Sequence, residues 1–149
     1  MAIMADNLVI VDTNILLYLC NDNAAIKQAS LQKVKSLRSG GFSLVVSEQI
    51  IREFLVAQTN IQKIARKFDT IKLNDDLQFI LHNFSIIWPD LKSVMFLQEL
   101  ISRYNMQGKI IHDANIVAVA KQNNVSKILT NNAADFLFAL KEGFEIITL

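Results

Sequence analysis

The sequence predicts an α/β fold in which helices cover a central, mainly parallel sheet of four to five short strands. Short runs of β-branched residues alternate with longer amphipathic segments over the 149 residues. Only 4 Gly and 1 Pro interrupt the chain, which favours helices joined by short connections. Because strands separated by helices are joined by right-handed crossovers, neighbouring strands are expected to be parallel.

The first 84 residues supply two predicted strands and five predicted helices. The strands are runs of apolar, largely β-branched residues, and the first has the character of a strand buried on both faces. The helices have apolar residues three and four positions apart, and Ser47 is a suitable N-cap for the third. In chain order we expect a strand at 9–11, helices at 15–20 and 24–39, a strand at 42–46, a helix from Ser47 to about Gln58, and two helices within 60–84 separated near Lys72–Asn74.

The remaining residues continue the alternation of strand and helix. Pro89 closes a short apolar run, and Gly108 ends a long amphipathic stretch. The expected elements are a strand at 85–88, a helix at 91–104, a helix at 112–123, a strand at 127–130 and a fifth strand at 145–148.

Length and composition indicate one domain, covering residues 1–149, that is 52% hydrophobic and needs no disulfide to hold its core. The 15 basic and 14 acidic side chains give a net charge of +1, so a site for nucleic acid would have to be local. The lone Cys20 cannot form an internal disulfide and fits a reducing cytoplasm. The N-terminus has no basic stretch, and Asp12 interrupts its apolar run, so we expect neither a secretory signal nor a membrane span.

Three carboxylates occupy positions where apolar residues would be expected. Asp12 follows the first buried strand, and it could simply cap the helix that comes next. Glu53 and Asp113 lie on helical stripes that are otherwise apolar. Binding sites in parallel sheets lie beyond the carboxyl ends of the strands, where Asp12 and the Asn131-Asn132 pair after the fourth strand would meet.

Three acids in a cleft of low dielectric repel one another, and either basic side chains or a hard divalent cation must relieve that repulsion. No Lys or Arg shares a stripe with the three acids, although Arg52 and Lys109 are close in sequence. Oxygen ligands suit Mg²⁺ or Mn²⁺, whereas two His and one Cys without paired spacing give little support to zinc. Such a metal activates water and stabilises the charge on a phosphodiester, which predicts a phosphodiesterase.

Four ordered motifs resemble the PIN-domain nucleases, and most closely the VapC-type toxins of type II toxin-antitoxin pairs. The motifs are Asp12-Thr13-Asn14, Glu53, His112-Asp113-Ala114, and Leu129-Thr130-Asn131-Asn132 with Asp135-Phe136. The resemblance implies an α/β/α sandwich and a cytoplasmic endoribonuclease that depends on Mg²⁺ or Mn²⁺. It also implies an RNA substrate, a small antitoxin as partner and a homodimer.

The resemblance assigns roles to particular residues of this chain. Asp12, Glu53 and Asp113 would be the catalytic acids that gather the metal, and Asn14 and Thr130 would orient them. The fourth position departs from the family pattern, because Asn131 and Asn132 stand where many relatives carry an acid. Asn132 could coordinate through its carbonyl but adds no charge, so a one-metal mechanism is expected. Asp135 is expected to cap the turn or helix that starts at Phe136, or else to reach the cluster.

Two other interpretations stay open at this stage. A PIN-like module could bind RNA or protein without cutting, or the chain could be a solitary RNA-processing nuclease. A phosphatase of the haloacid-dehalogenase type is disfavoured, since its second Asp is replaced here by Asn14. Three basic residues could bind phosphates or simply form a solvated helix face, namely Lys63, Arg66 and Lys67. The sequence does not identify the RNA that is cut.

Overall fold

The computed structural model describes residues 7–149, and a five-stranded parallel sheet forms their centre. The spatial order of the strands is β3-β2-β1-β4-β5. The strands are β1 (Leu8–Val11), β2 (Ser43–Ser47), β3 (Ser85–Ile87), β4 (Lys127–Leu129) and β5 (Glu145–Ile147). The prediction of an α/β fold with a parallel sheet is confirmed, including its fifth strand.

Within the described residues 7–149, seven α-helices surround this sheet. They are α1 (Thr13–Leu19), α2 (Ala24–Ser39), α3 (Glu48–Ile64), α4 (Thr70–Asn83), α5 (Leu91–Tyr104), α6 (Ile110–Gln122) and α7 (Leu137–Lys141), with a 3₁₀ turn at Ala133–Phe136 before α7. The helix contacts fall into two groups, with α1 against α2 and α3, and α5 against α6. This grouping is expected when right-handed crossovers place helices on opposite faces of a parallel sheet. None of the helices described is long and apolar enough to cross a membrane.

The predicted helix boundaries between residues 47 and 84 were wrong. Helix α3 continues past Gln58 to Ile64, and the break lies at residues 65–69 rather than at Lys72–Asn74. The true break has no Gly or Pro, and side chains make it instead. Asp69 caps α4 by accepting a hydrogen bond from the Lys72 N–H, and Gln62 exchanges two hydrogen bonds of 3.1 Å with the Asp69 backbone. Helix α6 also begins two residues earlier than predicted.

The core is built around β1, which lies in the middle of the sheet. Its residues Val9, Ile10 and Val11 are completely buried, as the run of β-branched residues predicts. Phe54 from α3 and Leu100 from α5 are also completely buried, so helices from both groups contribute to the core. Burial on both sides of the sheet fixes the position at which β1 ends.

The carboxyl ends of β1 and β4 lie side by side. Val11 pairs with Leu129, and the Asp12 N–H donates to the Leu129 carbonyl at 2.9 Å. Asp12 and Thr130 therefore leave adjacent strands at the same edge. On the other side of β1, the last residue of β2, Ser47, caps α3 and directs this helix away from the same edge. The strand order thus brings Asp12, Thr130 and the start of α3 together, as expected for a parallel sheet.

Candidate functional site

Asp12 is a buried carboxylate, 8% exposed, whose two oxygens are both hydrogen-bonded. Oδ1 accepts from the Thr13 N–H at 2.7 Å, and Oδ2 accepts from the Thr130 hydroxyl at 2.7 Å and the Asn14 amide at 2.8 Å. Asp12 is also the N-cap of α1, so capping and membership of an acid cluster are compatible. Burial raises the pKa of Asp12, while the hydrogen bonds from Thr130 and Thr13 oppose that rise.

Thr130 and Asn14 connect the loop after β4 to Asp12. The Thr130 side chain is completely buried, and its hydroxyl oxygen accepts from the Asn14 amide at 3.2 Å and from the Asn132 N–H at 2.9 Å. Asn14 Oδ1 in turn accepts from the Asn131 N–H at 3.1 Å. The structure therefore brings these two predicted orienting residues into direct contact with Asp12.

Glu53 approaches Asp12 from the second turn of α3. Its Oε2 accepts from the Thr13 hydroxyl at 3.2 Å, and its Oε1 accepts from the Gln49 amide at 2.6 Å. The two carboxylates are close enough for the charge of Glu53 to raise the pKa of Asp12. Thr13, which lies next to Asp12, therefore links the two acids through its backbone and its side chain.

Asp113 completes the acid cluster from the first turn of α6. Its pKa is raised to about 7, first by burial and then by the charges of Asp135, Asp12 and Glu53, in that order of importance. Within residues 7–149, no basic side chain forms an ion pair with any of these four acids, and Arg52 pairs with Glu48 instead. The cluster thus carries negative charge that nearby basic side chains do not neutralise.

Asp135, in the segment after β4, does not have the role that the sequence predicted. This residue lies within the 3₁₀ turn, and α7 has no side-chain cap, so the prediction that Asp135 caps the following helix was wrong. The turn carries helical backbone directly into α7, and the Asp135 carboxylate accepts from the Asn132 side-chain amide instead. Both side chains are exposed. Asp135 nevertheless contributes charge to the cluster through its effect on Asp113.

Gln49 is a buried residue of the site that the sequence reasoning missed. Its Nε2 donates to Glu53 Oε1 and, at 3.0 Å, to the His112 carbonyl, while its Oε1 accepts from the Asn115 amide at 2.5 Å. Gln49 therefore joins the helix that carries Glu53 to the helix that carries Asp113. The available signal was its position four residues before Glu53, on the same helix face.

The donor chemistry of the cluster fits a hard divalent cation. All of its ligand atoms are oxygens, which Mg²⁺ and Mn²⁺ prefer. Within residues 7–149, no three His, Cys, Asp or Glu side chains are arranged to hold one ion together. Mg²⁺ commonly keeps several waters and is held through only one or two carboxylates, so the cluster suits a hydrated ion better than a closed protein cage.

A groove of about 590 Å³ adjoins the cluster along α3. Glu53, Gln49, His112 and Arg52 are among its polar lining residues, apolar side chains such as Leu97 and Val56 line much of the remainder, and the groove extends as far as Asn60. Through Glu53, the cluster therefore borders a space that admits a ligand larger than water or a single ion.

The family model described as the PIN domain matches residues 9–137. This match covers most of the chain, which therefore belongs to the PIN-domain family. No curated protein sequence matches it significantly.

Solved structures share this fold at low sequence identity. A structure of VapBC2 from Rickettsia felis bound to a promoter DNA fragment is 16% identical, with a TM-score of 0.69, covering 95% of this chain and 98% of that one. VapBC-1 from nontypeable Haemophilus influenzae is 14% identical, with a TM-score of 0.64 and coverage of 95% and 96%. VapC20 from Mycobacterium tuberculosis, described as a sarcin-ricin loop cleaving toxin, is 16% identical, with a TM-score of 0.60 and coverage of 92% and 96%.

Asp113→Asn should stabilise the metal-free protein at about pH 8. Because the folded-state pKa of Asp113 lies above the ordinary value of 3.8 for an aspartate, this carboxyl makes the folded state less stable as pH rises from about 4 through 7. The full shift in pKa corresponds to roughly 4 kcal/mol of stability. We expect the substitution to raise the free energy of unfolding by about 1–2 kcal/mol, because the residue is only half-buried. Urea unfolding in EDTA measures the gain, which should shrink toward about pH 5.

The exposed Asp75 provides the matched control for this substitution, since it forms no ion pair with residues 7–149. Asp75→Asn should leave the free energy of unfolding within about 0.5 kcal/mol of the wild type at both pH values. A loss of stability in Asp113→Asn at about pH 8 would contradict the view that unneutralised charge dominates this cluster.

Gln49→Glu should destabilise the fold by about 2 kcal/mol or more at about pH 8, because a carboxylate oxygen would replace the amide donor that lies 2.6 Å from Glu53. Gln58→Glu is the comparison, since Gln58 is equally buried and also faces an acid, Asp76. Lys72 lies 3.0 Å from Asp76 and would offset the added charge there. Equal losses in the two variants, measured by urea unfolding, would argue against an unneutralised cluster at Glu53.

Proposed function

We propose that this PIN-domain protein is a metal-dependent endoribonuclease that hydrolyses RNA phosphodiester bonds as the toxin of a toxin-antitoxin pair. One observation carries the proposal: Asp12, Glu53, Asp113 and Asp135 share an electrostatic field with no ion-pair partner among residues 7–149. Repulsion between these acids lowers the stability of the fold unless a cation binds among them. Functional sites commonly tolerate such a loss of stability. Its position at the carboxyl edge of a parallel sheet supports a site.

Mg²⁺ or Mn²⁺ is the proposed cofactor, with Asp12, Glu53 and Asp113 as its candidate ligands and catalytic residues, of which one or two would bind the ion directly and the others through its waters. When bound, the metal would supply an activated water and stabilise charge on the phosphodiester. Thr130 and Asn14 hold the Asp12 carboxylate in place, so this group would not need to reorganise on binding.

We propose a single metal, because the residues after β4 give little support for a second one. Asn132 adds no charge there, and its amide contacts Asp135, whose carboxylate is exposed at the rim. We assign Asn132 and Asp135 a supporting role, in which their polar groups would hydrogen-bond to waters of a bound ion.

The toxin assignment is supported by the similar structures, several of which are toxin-antitoxin complexes. We infer a small antitoxin as partner, a cytoplasmic location where RNA is available, and a homodimer built from one domain spanning 1–149. Exposed apolar side chains on two helices offer surface for such partners, namely Val56 and Ile61 on α3 and Leu91, Val94 and Met95 on α5.

The alternative is a catalytically weak PIN-like module that binds RNA or protein, or a solitary RNA-processing nuclease. Asn132 at the fourth position favours this alternative, because it leaves that corner with one exposed acid instead of two. Cleavage assays separate the binding module from the enzyme, and the genomic neighbourhood separates the solitary enzyme from the toxin.

Asp12→Asn should reduce RNA cleavage at least about 100-fold, because it removes a buried charge that would hold the metal. Purified protein is incubated with single-stranded and structured RNA, with Mn²⁺ or with EDTA. Asp90→Asn is the matched control, since Asp90 is likewise an N-cap but belongs to α5 and a separate capping box. Cleavage that persists in EDTA, or that is equal in Asp12→Asn and the wild type, would rule out the proposed enzyme.

A short reading frame upstream that encodes a DNA-binding protein should accompany the gene if the chain is a toxin. The encoded protein, expressed together with this chain, should co-purify with it and suppress cleavage at least about 10-fold at equimolar concentration. Light scattering of the chain alone tests for the homodimer. A metal-dependent nuclease without such a neighbour would be a solitary RNA-processing enzyme.

A further inference from the structure

Three basic side chains and one aromatic ring project together from the end of α3 and the loop that follows. Lys63, Arg66, Lys67 and Phe68, which we call the basic tip, are all exposed, and Phe68 is 65% exposed. None of the three basic residues forms an ion pair with any other residue of the described range 7–149. The basic tip is therefore a local positive surface on a chain of net charge only +1.

The basic tip is continuous with the acid cluster through two adjoining grooves. The groove beside Glu53 extends to Asn60, and a second groove of about 490 Å³ begins at Thr59 and Asn60 and runs to Phe68. Asn60 lies seven residues after Glu53, and Lys63 lies three residues after Asn60. These spacings place the three side chains along one side of α3. Ten residues of helix place Lys63 about 15 Å from Glu53, a separation of several nucleotides along a strand.

The chemistry of the basic tip matches single-stranded RNA. Lys and Arg contact phosphates, and an exposed aromatic ring provides a face on which an unpaired base can stack. We propose that the RNA strand leaves the acid cluster along α3 and binds the basic tip, with phosphates on Lys63, Arg66 and Lys67 and a base on Phe68. This inference rests on the proposed ribonuclease function and names its substrate as a single-stranded or unpaired segment.

The charges of the molecule favour RNA over a protein partner at this surface. Asp113 and the three acids around it repel a polyanion, so RNA that is cut there needs positive charge elsewhere on the same path. The basic tip supplies that charge at the far end of the groove. The exposed Ile64 and Ile71 beside it would also suit an acidic, amphipathic protein segment, which the experiment below distinguishes.

The test is binding of a fluorescein-labelled oligouridylate of about 12 nucleotides, measured by anisotropy in EDTA so that no cleavage occurs. The variant Lys63→Gln/Arg66→Gln/Lys67→Gln should bind at least about 10-fold more weakly near 100 mM salt. The slope of log K against log salt should become shallower by about 2, since each phosphate contact on a single strand contributes about 0.7. Phe68→Ala should weaken binding about 5-fold or more without changing that slope.

The matched control is Lys27→Gln/Lys35→Gln/Lys92→Gln, which removes three exposed positive charges that lie outside both grooves. Its affinity should stay within about 3-fold of the wild type. Equal losses in the two triple variants would overturn the proposal in favour of a general effect of charge. A duplex of the same length should show no dependence on Phe68, and an equal dependence would overturn the assignment to unpaired bases.

The failure of this proposal can be told apart from failure of the proposed function. If the wild type binds the oligouridylate through the basic tip but does not cut RNA with Mn²⁺, the nuclease is wrong and the binding path stands. If the wild type cuts RNA and the basic-tip variant binds and cuts equally well, the path is wrong and the nuclease stands. Unchanged RNA affinity with loss of antitoxin binding would identify a protein-docking surface and overturn the RNA path.

Discussion

The hydrogen bond from the Thr130 hydroxyl to the Asp12 carboxylate is the interaction on which the site depends. It joins the ends of two adjacent strands, and at 2.7 Å it is a charge-assisted bond in a fully buried position. The same hydroxyl oxygen accepts from Asn14 and from the Asn132 backbone. Without it, Asp12 would lose one of its three donors, and the loop after β4 would lose one of its contacts with this edge of the sheet.

Helix starts help the chain to tolerate these acids without basic partners. This holds for two of the acids, since Asp12 is the N-cap of α1 and Asp113 lies in the first turn of α6. The free N–H groups at a helix start carry partial positive charge, which stabilises nearby carboxylates. This partial compensation is smaller than a full cation would give, as the raised pKa of Asp113 indicates. A divalent ion that binds the folded state alone would therefore also stabilise the fold.

The sequence predicted the parts of the site that depend on polarity and spacing. A β-branched run fixed the end of β1 and hence Asp12, and an acid on an apolar helical stripe indicated Glu53 and Asp113. Gln49 was missed because a buried amide looks like an ordinary polar residue until its three partners come together from α3 and α6. The break at residues 65–69 was missed for a similar reason, since the Gln62–Asp69 contacts that make it are formed only in the folded chain.

The near-neutral composition hides a separation of charge along a single helix. Glu53 lies near the start of α3 and Lys63 near its end, where the negative pole of the helix favours a basic side chain. The helix therefore separates Glu53 from a positive surface that its carboxyl end stabilises. The Gln62–Asp69 contacts fix the loop that carries Arg66 and Lys67, so the distance between the two surfaces is set by the backbone. A flexible tether would have let the basic side chains fold back onto the acids and neutralise them. A rigid helix keeps the acids free for a cation and the basic side chains free for phosphate.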